Sequence, residues 1–413
     1  MFIKTLLISC FTLITAITCG QDTTYKNFKK FAERQDSLFI LAYERRDIKT
    51  YDKLLKEFLT GFNKLPDTDK KRFSGNLNGA YYNFSCTYSL TGNKAMALTY
   101  LQKSIDAGYF DYSHIQADSD LDNIRNEKVF KEMVEPLKTI GDFLYILKRA
   151  GKYNPDDKRE LPEFTYQSAG NANLADLRKT FNLDSVAGKG NELLKIINLM
   201  HWVHYLVPHD GNHDNPVVKN AMNMIAECKR GKRGLNCRGL ATVLNECYLS
   251  LGIKSRIITC YPKDSLKLDA DCHVINMVYS DSLKKWLWMD PTNDAYVMNE
   301  KGGLLSIEEV RERITNDRPL ILNPDANWNR QSITKEYYLY RYMAKNLYML
   351  ECPVASEYNM ETKEAGKVIA YIKLLPLDYF NQAPDRAEEK NQETNTTWVT
   401  YLINNPELFW KQP

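Results

Sequence analysis

Apolar residues recur at helical spacing along the first third of the chain, from about residue 22 to about residue 140. The clearest segment is 81–106, where Gly92-Asn93 separates two such stretches. Glycine and asparagine favour the left-handed conformation that ends a helix, so the segment predicts two antiparallel helices joined by a tight turn. The positions predicted to pack between these helices are Phe84, Tyr88, Ala97, Leu101 and Ile105. We therefore predict an all-helical module over residues 21–149.

The pattern changes after this module. Residues 150–174 hold Pro, Gly, Asn and Asp without periodicity, which predicts an interdomain linker. A helix over 192–207 follows, and a second helix is predicted to begin after the N-cap residue Asn236 and to end at Gly252. Strand-like segments come next, at 255–260, 272–279, 286–290 and 368–375, with a helix near 306–315. A helix packed on an antiparallel sheet is an α+β fold, which we place at 175–345 with a C-terminal extension at 346–413.

The N-terminus has the pattern of a secretory signal peptide. Lys4 precedes an apolar run over 6–17, and small and polar residues follow as far as Gly20. The run is too short to span a bilayer. We predict a signal peptide at 1–20 and export to the periplasm or the medium, with Gln21 as the first mature residue. The alternative is a membrane-anchored lipoprotein modified at Cys19.

Charge and cysteine content narrow the function classes. Lys and Arg total 55 against 52 Asp and Glu, and this balance gives no electrostatic argument for nucleic-acid binding. Signal removal would leave seven of the nine cysteines, an odd number that leaves at least one thiol unpaired. The competing hypothesis is a metal-binding site formed by His201, His204, His209 and His213. Because the His-Glu-x-x-His arrangement of zinc proteases is missing there, we expect no metal and no organic cofactor.

Cys237 directly follows the N-cap Asn236 and would be the first residue of its helix. The unpaired N–H groups and the dipole at a helix N-terminus favour an anion, which lowers the pKa of a thiol. A thiolate is the nucleophile that acyl transfer requires, together with a base.

His273 begins one strand of the predicted hairpin and Asp290 ends the other. With the turn centred between Asp281 and Ser282, His273 and Asp290 would be directly opposite each other, with Cβ atoms about 4.5–5.5 Å apart. The imidazole would then hydrogen-bond the carboxylate and reach a thiol on its other side.

These residues and their flanks resemble the transglutaminase-like superfamily of papain-fold cysteine enzymes. The resemblance covers about residues 190–295 and rests on Gly-Leu-Asn-Cys237-Arg-Gly, Leu-Gly-Ile-Lys-Ser-Arg256, Asp271-Cys-His273-Val and Lys-Trp-Leu-Trp-Met-Asp290-Pro-Thr. It implies Cys237 as nucleophile, His273 as general base and Asp290 as the acid that orients the base. It also makes Trp202 a candidate oxyanion donor, by likeness to animal transglutaminases, although a tryptophan in so apolar a helix is typical of a core. The hairpin at 81–106 resembles a single tetratricopeptide repeat; an ordinary helical hairpin is the alternative.

The sequence thus predicts an exported cysteine hydrolase or acyltransferase with a helical module and a transglutaminase-like domain. Its substrate would be a peptide, a protein or a cell-wall peptide, and the resemblance favours hydrolysis as a peptidase or amidase over transfer to an amine. A protein partner could bind the helical module, and a membrane would be involved only through a lipid on Cys19. The alternative is a binding or scaffold protein that uses an inactive papain-like fold.

Overall fold

The protein is described by a computed structural model that covers residues 9–264, 266, 271–380 and 385–413, with side chains from residue 25 onward. Of the predicted signal peptide, residues 1–8 and the side chains of 9–20, Cys19 included, lie outside the described part. The chain divides into two compact units, Met1–Asp142 and Phe143–Pro413. Within the described residues, no helix combines the length and the apolar character that crossing a membrane requires.

Within the described residues, the regular secondary structure of the first unit is entirely helical. Its helices are α1 Ser9–Glu44, α2 Ile48–Phe62, α3 Asp67–Arg72, α4 Ser74–Leu90, α5 Lys94–Asp106, α6 Tyr112–Ala117, α7 Asp122–Arg125, α8 Lys128–Val134 and α9 Lys138–Gly141, with 3₁₀ turns at Ser119–Leu121 and Glu135–Leu137.

Helices α4 and α5 form the predicted helical hairpin. Asn93 caps the start of α5 by accepting a hydrogen bond from the Met96 N–H, and Gly92 has a φ of +81°. Ala97 is fully buried, and its carbonyl accepts a 2.7 Å hydrogen bond from the Ser85 hydroxyl of α4. The small alanine therefore lets the two helices approach closely, as the apolar pattern predicts. The likeness to a tetratricopeptide repeat stays a prediction.

The second unit combines helices and strands. Its elements are α10 Phe143–Lys148, β1 Thr165–Tyr166, α11 Ala172–Thr180, α12 Leu183–Ala187, α13 Glu192–Leu206, α14 Ala221–Gly231, α15 Cys237–Ser250, β2 Ser255–Tyr261, β3 His273–Ser280, β4 Lys285–Met289, β5 Val297–Met298, α16 Ile307–Thr315, β6 Ile321–Leu322, β7 Asn327–Trp328, β8 Gln331–Ser332, α17 Lys335–Tyr337, α18 Ala344–Asn346, β9 Met349–Pro353, β10 Ala355–Ser356, β11 Val368–Leu374, β12 Asp385–Lys390, β13 Thr397–Ile403 and α19 Pro406–Phe409. A π-helix at Tyr338–Met343 connects α17 to α18.

Seven strands form the main sheet, in the order β12-β13-β11-β9-β2-β3-β4. All neighbouring pairs are antiparallel except β11 and β13, which run parallel. Helix α15 packs against β2 and β3, and its residues from Gly239 to Ser250 are all buried. The arrangement is the predicted α+β fold, with the cysteine-bearing helix on antiparallel strands; the parallel pair of β11 and β13 was not predicted.

Residues 150–174, predicted as a linker, lie within the second unit. The Asn154 N–H donates a 2.8 Å hydrogen bond to the Asn404 carbonyl, and an Arg159 guanidinium nitrogen lies 2.7 Å from the Leu402 carbonyl oxygen. Strand β1 pairs in parallel with β10. Missing periodicity indicates the lack of a long helix or strand, but it does not reveal hydrogen bonds to distant parts of the chain.

The C-terminal segment contributes more to the sheet than its sequence pattern suggests. Strand β13 pairs on one side with β11 and on the other with β12, whose residues are all exposed. The chain after residue 384 therefore supplies two strands of the main sheet, β12 and β13.

Candidate active site

Cys237 is the first residue of α15, as the N-cap pattern predicts. The Asn236 side chain accepts a hydrogen bond from the Gly239 N–H at 3.2 Å and another from the Asn215 side-chain amide at 2.6 Å. A Cβ on Gly239 would lie 2.6 Å from the Asn215 side chain, which would have to move away and weaken this contact. The first turn is thereby fixed, with its unpaired N–H groups available to an anion.

The three predicted triad residues come together at this helix start. The His273 Nε2 lies 2.7 Å from an Asp290 carboxylate oxygen, and both side chains are almost completely buried. Cys237 is the second partner of the imidazole, because hydrogen bonding and charge from its thiol raise the pKa of His273. The Cys237 sulfur also lies 4.0 Å from the Cys272 carbonyl oxygen, at the entrance to β3. The imidazole therefore stands between a thiol and a carboxylate, the arrangement that thiol activation requires.

The predicted register of the β3–β4 hairpin is wrong by two residues. The observed pairs run from Asn276 with Met289 to Ser280 with Lys285, so His273 lies beyond the end of β4 and Asp290 lies diagonally across from it. A slip of two residues keeps every side chain on its face of the sheet, because strand side chains alternate with a period of two. The side chains of diagonal neighbours lie within each other's reach, which is why the hydrogen bond forms despite the shift.

Hydrogen bonding and charge make the pair of Cys237 and His273 ionic. Burial on its own raises the pKa of the Cys237 thiol, but hydrogen bonds from His209 and His273 and the His273 charge lower that pKa to about 6. Burial likewise lowers the pKa of His273, but the Asp290 charge and the hydrogen bonds to Asp290 and Cys237 raise it to about 10. A thiolate and an imidazolium therefore coexist at neutral pH.

Asp290 is held by partners that the sequence pattern does not reveal. Its carboxylate accepts a 2.6 Å hydrogen bond from the Tyr338 hydroxyl and a 3.0 Å bond from the Asn293 side-chain amide. The backbone N–H of Thr292 donates to the other carboxylate oxygen at 2.9 Å. Burial raises the pKa of Asp290, but the His273 charge and these hydrogen bonds outweigh it, so the pKa falls below its usual value. The sequence signal that could have identified Asn293 as a partner of Asp290 is its position in the run Asp-Pro-Thr-Asn.

The π-helix at Tyr338–Met343 brings a second tyrosine to the site. The Tyr342 hydroxyl lies 3.3 Å from the His273 Nδ1, and the two rings meet edge to face. Tyr338 and Tyr342 stand four residues apart, a spacing that indicates one helix face, but nothing in the sequence connects that face to His273. The π-helix fits its position here, since such segments are frequent at functional sites.

Trp202 lies on α13 and packs into the helical core, with its ring edge to face against Phe181 at 5.6 Å. No hydrogen bond of its indole N–H is found within the described residues. Its oxyanion role stays a prediction from the resemblance.

The histidines of the rival metal hypothesis have separate protein partners. His201 contacts Asp294, His204 contacts Asn327, and His213 contacts Asp210. Within the described residues, one group of possible ligands converges, Cys86, Asp118 and Asp120 of the helical unit. The hydroxyls of Tyr82 and Tyr43 already donate to these two aspartates. The seven cysteines from Cys86 onward are free thiols.

A cavity of about 540 Å³ opens beside the triad. Its lining includes His209, Asn293, Trp328, Tyr337 and Tyr342. Asn293 contacts Asp290 and Tyr342 contacts His273, so two residues of the cavity wall touch the predicted triad. Its volume is that of a typical ligand pocket, and tyrosine and tryptophan rings form part of its wall.

Comparison with known protein families agrees with the resemblance that the sequence motifs indicate. Residues 179–291 match the family model described as "Transglutaminase-like superfamily", a range that contains Cys237, His273 and Asp290. A solved structure described as "a Putative Cysteine Protease from Cytophaga hutchinsonii" is 18% identical, with a TM-score of 0.23. The match covers 38% of this chain and 50% of that one, so this chain spans about half the length of that protein. No curated protein matches the chain significantly.

Proposed function

We propose that this chain, whose residues 179–291 match the transglutaminase-like superfamily, is an exported cysteine enzyme that acts on a peptide or carboxamide carbonyl through a thioester on Cys237. The observation that carries the proposal is the buried His273 imidazole, hydrogen-bonded to Cys237 on one side and to Asp290 on the other. A non-catalytic scaffold has no need of such an ionic pair beside a cavity.

The first half of the reaction forms the thioester. The Cys237 thiolate attacks the carbonyl carbon, a C–S bond forms, and the π electron pair moves to the carbonyl oxygen. The first-turn N–H groups of α15 point toward the developing oxyanion. Collapse of the tetrahedral intermediate breaks the C–N bond, and the His273 imidazolium gives its proton to the leaving amine.

The second half releases the acyl group. His273 takes a proton from water, the hydroxide oxygen bonds to the thioester carbon, and the C–S bond breaks to give a carboxylic acid and the thiolate. An amine in place of water would give transfer. We favour water on the strength of the superfamily resemblance, and the cavity is a suitable site for a peptide or cell-wall peptide.

A thiol-directed affinity probe at neutral pH separates the enzyme from the scaffold. Wild-type protein should be labelled at Cys237, and Cys237→Ala should not. Cys272→Ser is a matched control that leaves the nucleophile in place; burial raises the pKa of Cys272 to about 11, so this thiol should contribute little labelling. Equal labelling of wild type and Cys237→Ala would contradict the proposal. Incubation with a peptide and cell-wall fragment library, with and without a primary amine, then distinguishes hydrolysis from transfer.

Export of the protein belongs to the same proposal. Lys4, the apolar run at 6–17 and Gly20-Gln21 support a cleaved signal peptide. Protein isolated from the native host should begin at Gln21, or at a lipid-modified Cys19. Cytosolic protein that retains residues 1–20 would contradict export.

A further inference from the structure

A second histidine approaches the nucleophile from a loop that the sequence does not connect to it. The Asp210 N–H donates to the Leu235 carbonyl at 2.8 Å, and the Leu235 N–H donates to the Pro208 carbonyl at 3.1 Å. A Cβ on Gly234 would lie 2.2 Å from the Pro208 carbonyl oxygen, so glycine is required for this approach. These contacts fix His209 opposite Leu235, two residues before Cys237.

The backbone and the ring of His209 are both oriented by the β7–β8 hairpin. The His209 N–H donates to the Asn329 side-chain oxygen at 2.8 Å, and the Asn329 amide donates back to the His209 carbonyl at 2.9 Å. The Trp328 indole nitrogen lies 3.1 Å from the His209 Nδ1. An indole N–H can only donate, so Nδ1 must carry a lone pair and the ring proton must lie on Nε2. This tautomer is assigned from the hydrogen-bond network.

The side chain of His209 lies close enough to Cys237 to act on its thiol. His209 lies opposite Leu235, two residues before Cys237, and hydrogen bonding and charge from His209, like those from His273, lower the pKa of the thiol. With Nδ1 occupied by Trp328, the donor in that hydrogen bond is the Nε2–H. His209 also lines the cavity that leads to the triad. The sulfur therefore has imidazoles from two separate parts of the chain.

We propose that His209 is a further catalytic residue, whose Nε2–H stabilises first the Cys237 thiolate and then the oxyanion of the tetrahedral intermediate. Trp328 is its positioning residue. This inference rests on the proposed acyl-transfer function. No proton leaves His209 during the reaction: the C–S bond forms, the π electron pair moves to the carbonyl oxygen, and that oxygen accepts the hydrogen bond that the sulfur held. His273 makes the only proton transfers. His209 thus has the role of oxyanion donor that the resemblance suggests for Trp202.

The tautomer is tested without any substrate. In protein labelled with ¹⁵N-histidine, the His209 ring should show a protonated Nε2 and an unprotonated Nδ1 at pH 7.5. Trp328→Phe removes the indole N–H but keeps an aromatic ring, and it should make the His209 tautomers mix. A ring protonated at Nδ1 in the wild type would overturn the assignment.

The effect on the thiol is also measured without turnover. The alkylation rate of Cys237 against pH should give a midpoint that moves upward by about one unit in His209→Ala, because one hydrogen bond to the thiolate is lost. His209→Gln keeps an N–H donor and should recover most of that shift. His213→Gln is the matched control, since His213 lies in the same loop, is exposed, and pairs with Asp210. An unchanged alkylation midpoint in His209→Ala would overturn the claim that His209 stabilises the Cys237 thiolate.

Turnover then tests the oxyanion part, once a substrate is known. His209→Ala should lower kcat/KM by about 10²–10³-fold, as the loss of an oxyanion donor does elsewhere, and His209→Gln should be at least about tenfold better than His209→Ala. Wild-type turnover by a folded His209→Ala variant would overturn this part. If no carbonyl substrate is turned over by any variant, the proposed function fails and the oxyanion part fails with it. The tautomer and the alkylation midpoint still decide whether His209 stabilises the thiolate.

Discussion

At the scale of single residues, Asp290 is the group on which the charge of His273 depends. The carboxylate is fully buried and hydrogen-bonded to His273, Tyr338 and Asn293, so its charge faces the imidazole without screening by solvent. A buried carboxylate in this position fixes the imidazole tautomer and stabilises the imidazolium.

Asp290→Asn should therefore keep the fold and lower the rate by about 10²–10⁴-fold. The amide has nearly the same shape, but it carries no charge to stabilise the imidazolium. The measurement is kcat/KM, with circular dichroism to show that the variant is folded. Asp271→Asn is the matched control: Asp271 lies two residues before His273, is half exposed and pairs with Lys345 at 2.9 Å. Full activity in a folded Asp290→Asn variant would show that another group orients His273.

The pH dependence follows from the two opposite pKa shifts. The Cys237 pKa is lowered to about 6, so the thiolate is present above that pH, and the His273 pKa is raised to about 10, so the imidazolium is present below it. Turnover should rise through pH 6, stay level, and fall through pH 10. The alkylation rate of Cys237 should rise through pH 6 and not fall again. Cys86 serves as an internal control, because burial raises the pKa of this thiol far above its usual value.

The same shifts affect stability in opposite directions. The lowered Cys237 pKa contributes stability that is present above the ordinary thiol pKa of 9.0 and is lost as pH falls through 6. The raised His273 pKa contributes stability that is present below 6.5 and is lost as pH rises through 10.

At the scale of elements, the turn of the β3–β4 hairpin is attached to α13 by one side chain. The Glu192 carboxylate accepts hydrogen bonds from the Ser280 hydroxyl at 2.7 Å, from the Asp281 N–H at 2.8 Å and from the Ser282 N–H at 2.9 Å. Burial raises the pKa of Glu192, but these bonds outweigh it and lower the pKa overall. The turn on which the register depends is thus set by a residue about 90 positions earlier in the chain.

Glu192→Ala should destabilise the protein by about 1–2 kcal/mol, toward the low end of the range for hydrogen bonds to a charged group, because Glu192 is only partly buried. Urea unfolding at pH 7 gives the free energy. Because the pKa of Glu192 is lowered, its contribution is present above pH 4.5 and is lost as pH falls below that value, so the variant and the wild type should converge in acid. Asp281→Ala is the control, since the Asp281 side chain is exposed and pairs with the exposed Lys284. Equal stability of Glu192→Ala and wild type at pH 7 would contradict this role.

Arg256, part of the Gly-Ile-x-x-Arg sequence, has a comparable role in β2. Its buried guanidinium donates to the Tyr166 hydroxyl and to the carbonyls of Phe409 and Lys411, and it lies 3.5 Å from the centre of the Phe164 ring. Arg256 therefore joins two segments to the main sheet: the one around Tyr166 and the C-terminus.

At the scale of the whole molecule, the second unit contains Cys237, His273 and Asp290, the cavity and the His209 loop. Residues 150–174 belong to this unit through Asn154, Arg159, β1 and the bond from Arg256 to Tyr166. A fragment that begins at Phe143 keeps all of these contacts, whereas one that begins at residue 175 loses them.

The fragment Phe143–Pro413 should therefore fold alone and react at Cys237 with the same alkylation profile as the full chain. The fragment 175–413 should be less stable by about 3 kcal/mol or more, because several buried hydrogen bonds are lost and their partners stay unpaired. Thermal unfolding followed by circular dichroism compares the two fragments. Equal melting temperatures would mean that 150–174 is only a connection, as the sequence pattern suggests.

The sequence by itself was sufficient for the local features of this protein. The N-cap at Asn236, the helix that begins at Cys237, the hairpin at 81–106 and the α+β fold all depend on short-range preferences and on periodicity. The proximity of His273 to Asp290 was also predictable. A register error of two residues leaves each side chain on the same face of the sheet, because strand side chains alternate with a period of two.

Only the tertiary structure decided which distant groups meet at the thiol. His209 reaches Cys237 through a close backbone approach at Gly234, and Tyr338 and Tyr342 reach the triad on a π-helix. Residues 150–174 pack through single hydrogen bonds rather than a repeated pattern. Periodicity reports which face of an element is buried, but it does not report which element lies against that face. That choice depends on packing and hydrogen bonding between segments far apart in the chain.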